Sequence, residues 1–170
     1  ITDWCASALT LARNLFLAGQ PEQGAFANFP SKLMSLVRPD GAGDLYDGAL
    51  RVVDAQGRRV LDQVDVNTYP QLLVEEVKPW TYMKFPHLRA FGPDDGWYRV
   101  GPLARINNAT YLDTPRAEAA RAEFMAWGGG QPVTASLAQH WARMIDTLHC
   151  AEGIARLLDD PDITGTDLMA

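Results

Sequence analysis

The sequence predicts one α+β unit that is mainly helical and carries a small antiparallel β-hairpin or sheet. Apolar residues at helical spacing predict two long helices, over residues 3–18 and about 136–158. Apolar residues on both sides of a turn predict a hairpin over residues 49–64. A chain of 170 residues is long enough for one compact core, and no repeat or low-complexity linker divides it. We therefore expect a single unit over residues 1–170.

The first helix has a start and a stop signal. Asp3 can cap its first turn, and Gly19 follows its last residue. Its apolar positions are Leu9, Leu11, Leu15 and Phe16, which leaves Arg13 and Asn14 on a polar side. A loop with two prolines follows, and we expect a short helical turn over residues 31–36.

The hairpin and the aromatic segment after it make up the middle of the chain. Gly57 suits a positive-φ position in the hairpin turn. A short helix is predicted to begin near Thr68, with Pro70 in its first turn. Residues 78–92 are rich in aromatics and prolines and are interpreted as extended segments, and residues 94–96 as a turn.

Two helices are predicted in the last third of the chain. Thr114 can cap the first of them, Pro115 occupies its first position, and the glycines 128–130 end it. The second is the longest of the chain and is stopped at residues 159–162. Its apolar residues form one stripe at steps of three and four: Leu137, Trp141, Met144, Leu148, Ala151 and Ala155.

Charge and hydropathy exclude two classes of partner. The 15 basic residues face 21 acidic ones, and no basic run is present that could follow a phosphate backbone, so we expect no nucleic acid. No apolar run approaches the ~20 residues that cross a bilayer, so we expect no membrane span. Cys5 and Cys150 lie far apart and form no disulfide framework, which makes a cytoplasmic location the default.

The histidines give no catalytic or metal motif. His140 and His149 are nine positions apart on one predicted helix, which places them about 180° apart, on opposite faces. His149 and Cys150 are adjacent, so their side chains point about 100° apart and form no nucleophile–base pair. We predict no catalytic residues and no metal ligands. An unrelated small hydrolase using His149 has no motif in its favour.

Residues 78–106 concentrate the unusual side chains of the chain. Within them, "GWYRVGPLARINNA" (96–109) places Arg99 and Arg105 in a nearly apolar segment that contains a turn. Guanidinium groups suit partly buried sites because each offers a planar, bidentate donor fork. Two interpretations stay open at this point. The arginines satisfy buried carbonyls and carboxylates, or they line a pocket or a subunit interface.

The sequence of residues 75–107, "EEVKPWTYMKFPHLRAFGPDDGWYRVGPLARIN", resembles that of the large subunit of nickel–iron hydrogenases. The similarity is greatest to the cytoplasmic, bidirectional type that couples hydrogen to NAD or a related carrier. Its pattern runs from an aromatic-aromatic-x-Lys-x-Pro element to a Val-Gly-Pro-Leu-Ala-Arg element. The residues that match it, to which we assign a structural role, are Lys84, Pro86, Arg99, Gly101, Pro102 and Arg105.

The resemblance implies a parent that catalyses reversible H₂ oxidation at a nickel–iron centre held by four cysteines in two Cys-x-x-Cys pairs. This chain has neither pair, and two isolated cysteines cannot supply four thiolates. We therefore expect no cofactor in this segment, with the nickel–iron centre elsewhere in the parent subunit. The implied partners are the rest of the large subunit and an iron–sulfur small subunit.

The resemblance leads to the expectation of a scaffold segment of a large subunit, inactive in isolation, with both catalytic ends removed. The alternative is a free-standing, non-catalytic interaction domain derived from that subunit. The alternative requires a natural start at these boundaries, and the chain begins with Ile1 rather than Met. We therefore expect that the chain was cut from something longer.

Overall fold

A four-stranded sheet and a separate two-stranded hairpin lie beside a group of helices in the computed structural model, which describes residues 1–166. This confirms the α+β class with small sheets. The helices are α1 (Thr2–Ala18), α2 (Glu22–Ala25), α3 (Tyr69–Leu72), α4 (Gly92–Asp95), α5 (Pro102–Asn108), α6 (Pro115–Trp127) and α7 (Ala138–Leu158). The strands are β1 (Lys32–Val37), β2 (Ala49–Val53), β3 (Arg59–Val64), β4 (Leu73–Val77), β5 (Lys84–Leu88) and β6 (Tyr98–Arg99).

The four-stranded sheet has the order β3-β2-β1-β6. Strands β1, β2 and β3 are antiparallel, whereas the two-residue strand β6 runs parallel to β1. The predicted hairpin is confirmed as β2–β3. Gly57 has φ +77° in its turn, and the Asp54 carboxylate accepts hydrogen bonds from the backbone N–H groups of Gln56 and Arg58. Local turn chemistry therefore sets this register.

Residues 31–36 form most of β1, so the helical turn predicted there is wrong. Leu33 and Val37 are fully buried, and Leu33 pairs with Val53 of β2. The short helix predicted to begin near Thr68 is confirmed as the single turn α3, with Pro70 in its first turn, although the Thr68 side chain forms no cap hydrogen bond. The residues after it form β4, which pairs with β5. At residues 31–36 the pairing of β1 with β2 and β6 overrides the local helical preference.

Four helices, α1, α5, α6 and α7, contribute buried residues to the main apolar core. Trp141 of α7 is 1% exposed and lies between the rings of Phe16, Phe124 and Trp127, at centroid distances of 6.1, 5.0 and 6.3 Å. Such edge-on and tilted aromatic contacts add to the free energy of burial. The predicted boundaries of α6 and α7 are confirmed within two residues.

The polar and apolar faces predicted for α1 are partly wrong. Leu9 and Phe16 are buried as expected, but Leu11 and Leu15 are about 60% exposed. Arg13, assigned to a polar side, donates from Nε to the Glu123 carboxylate of α6 at 2.6 Å. Helix α1 therefore has two apolar stripes, and only one of them faces the core. No helix within residues 1–166 has the length and hydrophobicity needed to span a bilayer.

The helix α5 is joined to the sheet by Asn108. Its Nδ2 donates to the carbonyl oxygens of Leu33 and Arg51 at 3.1 Å and to Ser35 Oγ at 3.0 Å. Arg51 Nη1 donates in return to the Asn108 carbonyl at 3.0 Å. Asn108 and Arg51 are both 3% exposed. Because buried polar groups are costly when unpaired, this junction fixes the position of the helix on the sheet.

We expect Asn108→Ala to lower the free energy of unfolding by about 2–3 kcal/mol, because it leaves two buried carbonyls without this donor. Urea unfolding of the chain measures the change. The control is Asn14→Ala on the exposed surface of α1, which should change stability by less than about 0.5 kcal/mol. Equal midpoints for the two variants would contradict the assignment.

Candidate functional site

The six residues singled out by sequence lie between the start of β5 and the last turn of α5. Gly101 separates β6 from α5 and has φ +84°, which an L-amino acid side chain disfavours. A Cβ at this position would meet no atom within 4 Å, so backbone conformation and not space requires the glycine. Pro102 then starts the helix at a position where its missing N–H costs nothing.

Arg105 is the only residue of α5 that is not buried, and it anchors the helix to α7. Its Nε donates to Asp146 Oδ2 at 3.0 Å, and its Nη2 bonds the same oxygen. The side chain of Asp146 is 11% exposed and that of Arg105 is 30% exposed. This is a partly buried, charge-assisted contact between residues 41 positions apart.

Arg99 has no carboxylate partner within residues 1–166. Its Nη1 donates to the Thr134 carbonyl at 2.7 Å, its Nη2 to the Phe29 carbonyl at 3.3 Å, and its guanidinium lies 4.0 Å from the centroid of the Phe29 ring. Burial lowers the pKa of Arg99 from its usual value. The side chain thus joins the loop before β1 to the loop between α6 and α7.

Lys84 and Pro86 belong to the β4–β5 hairpin, at the edge of an apolar cleft of about 600 Å³. Lys84 Nζ donates across the hairpin to Glu75 Oε2 at 2.5 Å, and both side chains are more than half exposed. The apolar part of the lining comes mainly from Phe29, Met83, Phe85, Pro86, Trp97 and Tyr98. Burial raises the pKa of the Tyr98 hydroxyl, and the charge of Glu75 adds to this effect.

The structure therefore divides the predicted residues into two groups. Lys84 and Pro86 lie at the cleft, and Arg99 stacks on Phe29, one of the residues that line it. Arg105 points to α7 instead, and with Gly101 it borders a separate hollow of about 200 Å³. The contacts of both arginines with carbonyls and a carboxylate correspond to the first of the two interpretations. The structural role of the six residues stays a prediction.

Sequence reasoning missed Asn107, which pairs with the backbone of Val133. Asn107 Nδ2 donates to the Val133 carbonyl at 3.0 Å, and its Oδ1 accepts from the Val133 N–H at 2.7 Å. Asn107 Nδ2 also bonds the Leu103 carbonyl one turn earlier. The signal was the Asn-Asn pair at the end of a nearly apolar segment, since a buried amide needs hydrogen-bond partners.

A second polar cluster surrounds Asp113, which accepts hydrogen bonds from Arg38 at 3.0 Å and Arg156 at 3.2 Å. Burial alone raises the pKa of Asp113, but the hydrogen bonds and charges of the two arginines outweigh it and hold that pKa below its usual range. His149 Nδ1 lies 2.8 Å from Thr114 Oγ1. This contact replaces the cap predicted for Thr114, whose side chain does not bond the first turn of α6.

The donor set of this chain does not fit a nickel–iron centre. No group of three or more His, Cys, Asp or Glu side chains is placed to hold a metal within residues 1–166. Cys5 and Cys150 are free and half-buried. Burial raises the pKa of the Cys150 thiol, and Asp146 adds to this, which disfavours the thiolate that a metal requires. No chemical step through a metal is derived from these residues.

Comparison with known proteins gives the relatives of the chain. No protein-family model matches. The beta subunit of the NAD-reducing hydrogenase HoxS of Cupriavidus necator is 35% identical over 169 residues, which are 99% of this chain and 34% of that subunit. A solved structure described as an NAD⁺-reducing [NiFe]-hydrogenase in the H₂-reduced state matches with TM-score 0.94 and 49% identity over 100% of this chain and 38% of that one. The chain is similar to hydrogenase subunits throughout.

Relatives of a second kind are named as subunits of F420-non-reducing hydrogenases. The one from Methanothermobacter thermautotrophicus is 34% identical over 161 residues, 94% of this chain and 33% of its own length. The one from Archaeoglobus profundus, named as an iron-sulfur subunit, is 33% identical over 140 residues, 77% of this chain and 28% of its own length. The chain thus spans about a third of the length of its relatives.

These comparisons correct the assignment to a nickel–iron large subunit. The relatives are named as a beta subunit and as subunits of F420-non-reducing hydrogenases, one of them an iron–sulfur subunit, and none of these names gives a nickel–iron large subunit. The large-subunit fold is not supported either, although the α+β class is. The function predicted from that assignment was a large-subunit scaffold segment or an interaction domain derived from it, and this prediction is wrong. The comparisons instead show similarity to hydrogenase subunits of the HoxS beta and F420-non-reducing kinds.

We expect Arg105→Met and Asp146→Leu to interact in a double-mutant cycle. Each single change leaves one partner of a partly buried pair uncompensated, and the double variant removes both charges, so the coupling energy should be about 1–2 kcal/mol. Urea unfolding of the four proteins measures it. The exposed Lys84–Glu75 pair is the control and should couple by less than about 0.5 kcal/mol. Similar coupling in the two cycles would show that Arg105 is not an anchor.

We expect acid to destabilise the chain in part through Asp113. A carboxyl whose pKa is lower in the folded state contributes stability above the pKa of the unfolded chain, near 4, and this contribution is lost as the pH falls through the folded pKa. Urea midpoints measured from about pH 6 down to about pH 3 should fall less steeply for Asp113→Asn than for the parent. Asp3→Asn is the exposed control, and identical slopes for Asp113→Asn and the parent would contradict the assignment.

Proposed function

We propose that this chain is part of a hydrogenase subunit of the HoxS beta kind and works in a multi-subunit, NAD-reducing hydrogenase. The observation that carries the proposal is the 49% identity to an NAD⁺-reducing hydrogenase over 100% of the chain. The F420-non-reducing relatives are 33–39% identical over 77–94% of the chain, whereas HoxS beta is 35% identical over 99% of it. The NAD-reducing type is therefore the better supported of the two.

We propose that the residues of this chain contribute protein–protein contacts to the complex rather than redox chemistry. The exposed surface is 10207 Å², compared with about 8,300 Å² expected for a compact monomer of this mass. Side chains that rarely remain free in water, among them Trp4, Trp80, Tyr82 and Met83, are 61–94% exposed. Surfaces of this kind are typical of protein interfaces. The expected partners are the remaining part of the same subunit and a neighbouring subunit of the complex.

The cofactors of the complex lie, on this proposal, outside residues 1–166, because the donor groups here do not suit a metal. The charged groups at the cleft and at α7 serve to hold loops and helices in place. Arg99 joins two loops, and Arg105 fixes α5 to α7. The cytoplasmic location stays a prediction.

The test is to tag the protein at its own gene in the source cell and purify the complex that contains it. We expect H₂-dependent NAD⁺ reduction to copurify with the tag and to be lost when the gene is deleted. Peptide-directed mass spectrometry of the tagged band should give a mass well above 18.7 kDa.

Two results would contradict the proposal. One is a tagged complex in which H₂ reduces no NAD⁺ while the same cells retain that activity elsewhere. The other is a native band at 18.7 kDa that copurifies with no other hydrogenase subunit. A complex in which H₂ reduces an artificial electron acceptor, but neither NAD⁺ nor F420, would overturn the choice of NAD and favour the F420-non-reducing relatives.

A further inference from the structure

The outer face of α1 carries an apolar stripe that no part of residues 1–166 covers. Its members recur at steps of three and four from the N-cap residue to the last residue of the helix: Ile1, Trp4, Ala8, Leu11, Leu15 and Ala18. Ile1, Trp4, Leu11 and Leu15 are 84, 78, 61 and 60% exposed. The opposite face, with Leu9 and Phe16, already packs in the core. The outer stripe is therefore a second packing surface and not the margin of the first.

The polar residues of α1 are satisfied without this stripe. Ser7 and Thr10 donate their hydroxyls to carbonyls of their own helix, at 2.9 Å each. The two charged side chains of the helix, Asp3 and Arg13, form ion pairs with α6. Both side-chain charges of α1 are therefore already compensated, and an apolar, uncharged surface complements the stripe.

We propose that a second helix with a matching apolar stripe packs on this face, and that it belongs to the remaining part of the same subunit. This inference rests on the proposed function. Six apolar positions at a strict alternation of three and four are the pattern that knobs-into-holes packing requires. Ala8 and Ala18 are small and lie next to bulky members, so they leave holes for the side chains of the partner helix.

The size of the stripe favours a segment of the same chain over a second copy. It has six members, fewer than the roughly 20–30 residues that each partner contributes to a stable interface between separate proteins. A tethered segment needs less area because its effective concentration is about millimolar. The related chains are long enough to supply a further segment, since this chain covers only 34% and 38% of them.

The test places a photoreactive benzoylphenylalanine at position 11 of the subunit in its native complex. Thr10 is the matched control, because it is exposed on the same helix but lies about 130° around the axis from the centre of the stripe. We expect several-fold more cross-linking at position 11 than at position 10. Mass spectrometry should locate the product on an apolar-striped segment of the same subunit.

Cross-links from position 11 to a second copy, to another subunit or to lipid would each overturn the inference and leave the proposed function intact. Equal cross-linking at the two positions, or none at either, would also overturn it. A native band at 18.7 kDa would instead overturn the proposed function.

A second measurement does not depend on the cross-linker. We expect Leu11→Lys to lower the thermal midpoint of the complex by several degrees, because a charge would enter the helix interface. Thr10→Lys should leave the midpoint unchanged. Equal midpoints for Leu11→Lys and the parent would show that position 11 stays in water, against the inference.

Discussion

The burial of the short helix α5 between the sheet and the long helices is the constraint on which the other contacts depend. Six of its seven residues are buried, so each polar group on it needs a partner inside the protein. Asn108 bonds two strands of the sheet, Asn107 bonds the backbone of Val133, and Arg105 bonds α7. One turn-bearing segment thus fixes the relative positions of three parts of the fold.

The buried and half-buried arginines differ in how their charge is compensated. Arg51 is almost fully buried and pairs with Asp62, and Arg105 is partly exposed and pairs with Asp146. Arg99 has only carbonyls and an aromatic ring, at an edge that borders an apolar cleft. Within residues 1–166 the charge of Arg99 is therefore held by neutral acceptors and an aromatic face, whereas Arg51 and Arg105 each have a carboxylate.

Much of the fold could be predicted from sequence where the signal was local. The hairpin followed from Gly57, and the start of α6 from Thr114 and Pro115. Strand β1 was missed because its pairing with β2 is not local, and the partners of the arginines were missed because Thr134 and Asp146 lie 35 and 41 positions away. Periodicity showed that α1 is apolar but could not show that Leu11 and Leu15 face outward.

The composition of the chain, with 47% hydrophobic residues, is that of an ordinary globular protein. The placement of the hydrophobic residues on α1 is more informative than their number. A surface helix of a globular protein typically has one apolar stripe and a charged or polar face. In contrast, α1 has two apolar stripes and only two charged side chains, Asp3 and Arg13, and both form ion pairs. Packing of a further helix on the outer stripe, as proposed, would remove apolar surface from water and add to the stability of this arrangement.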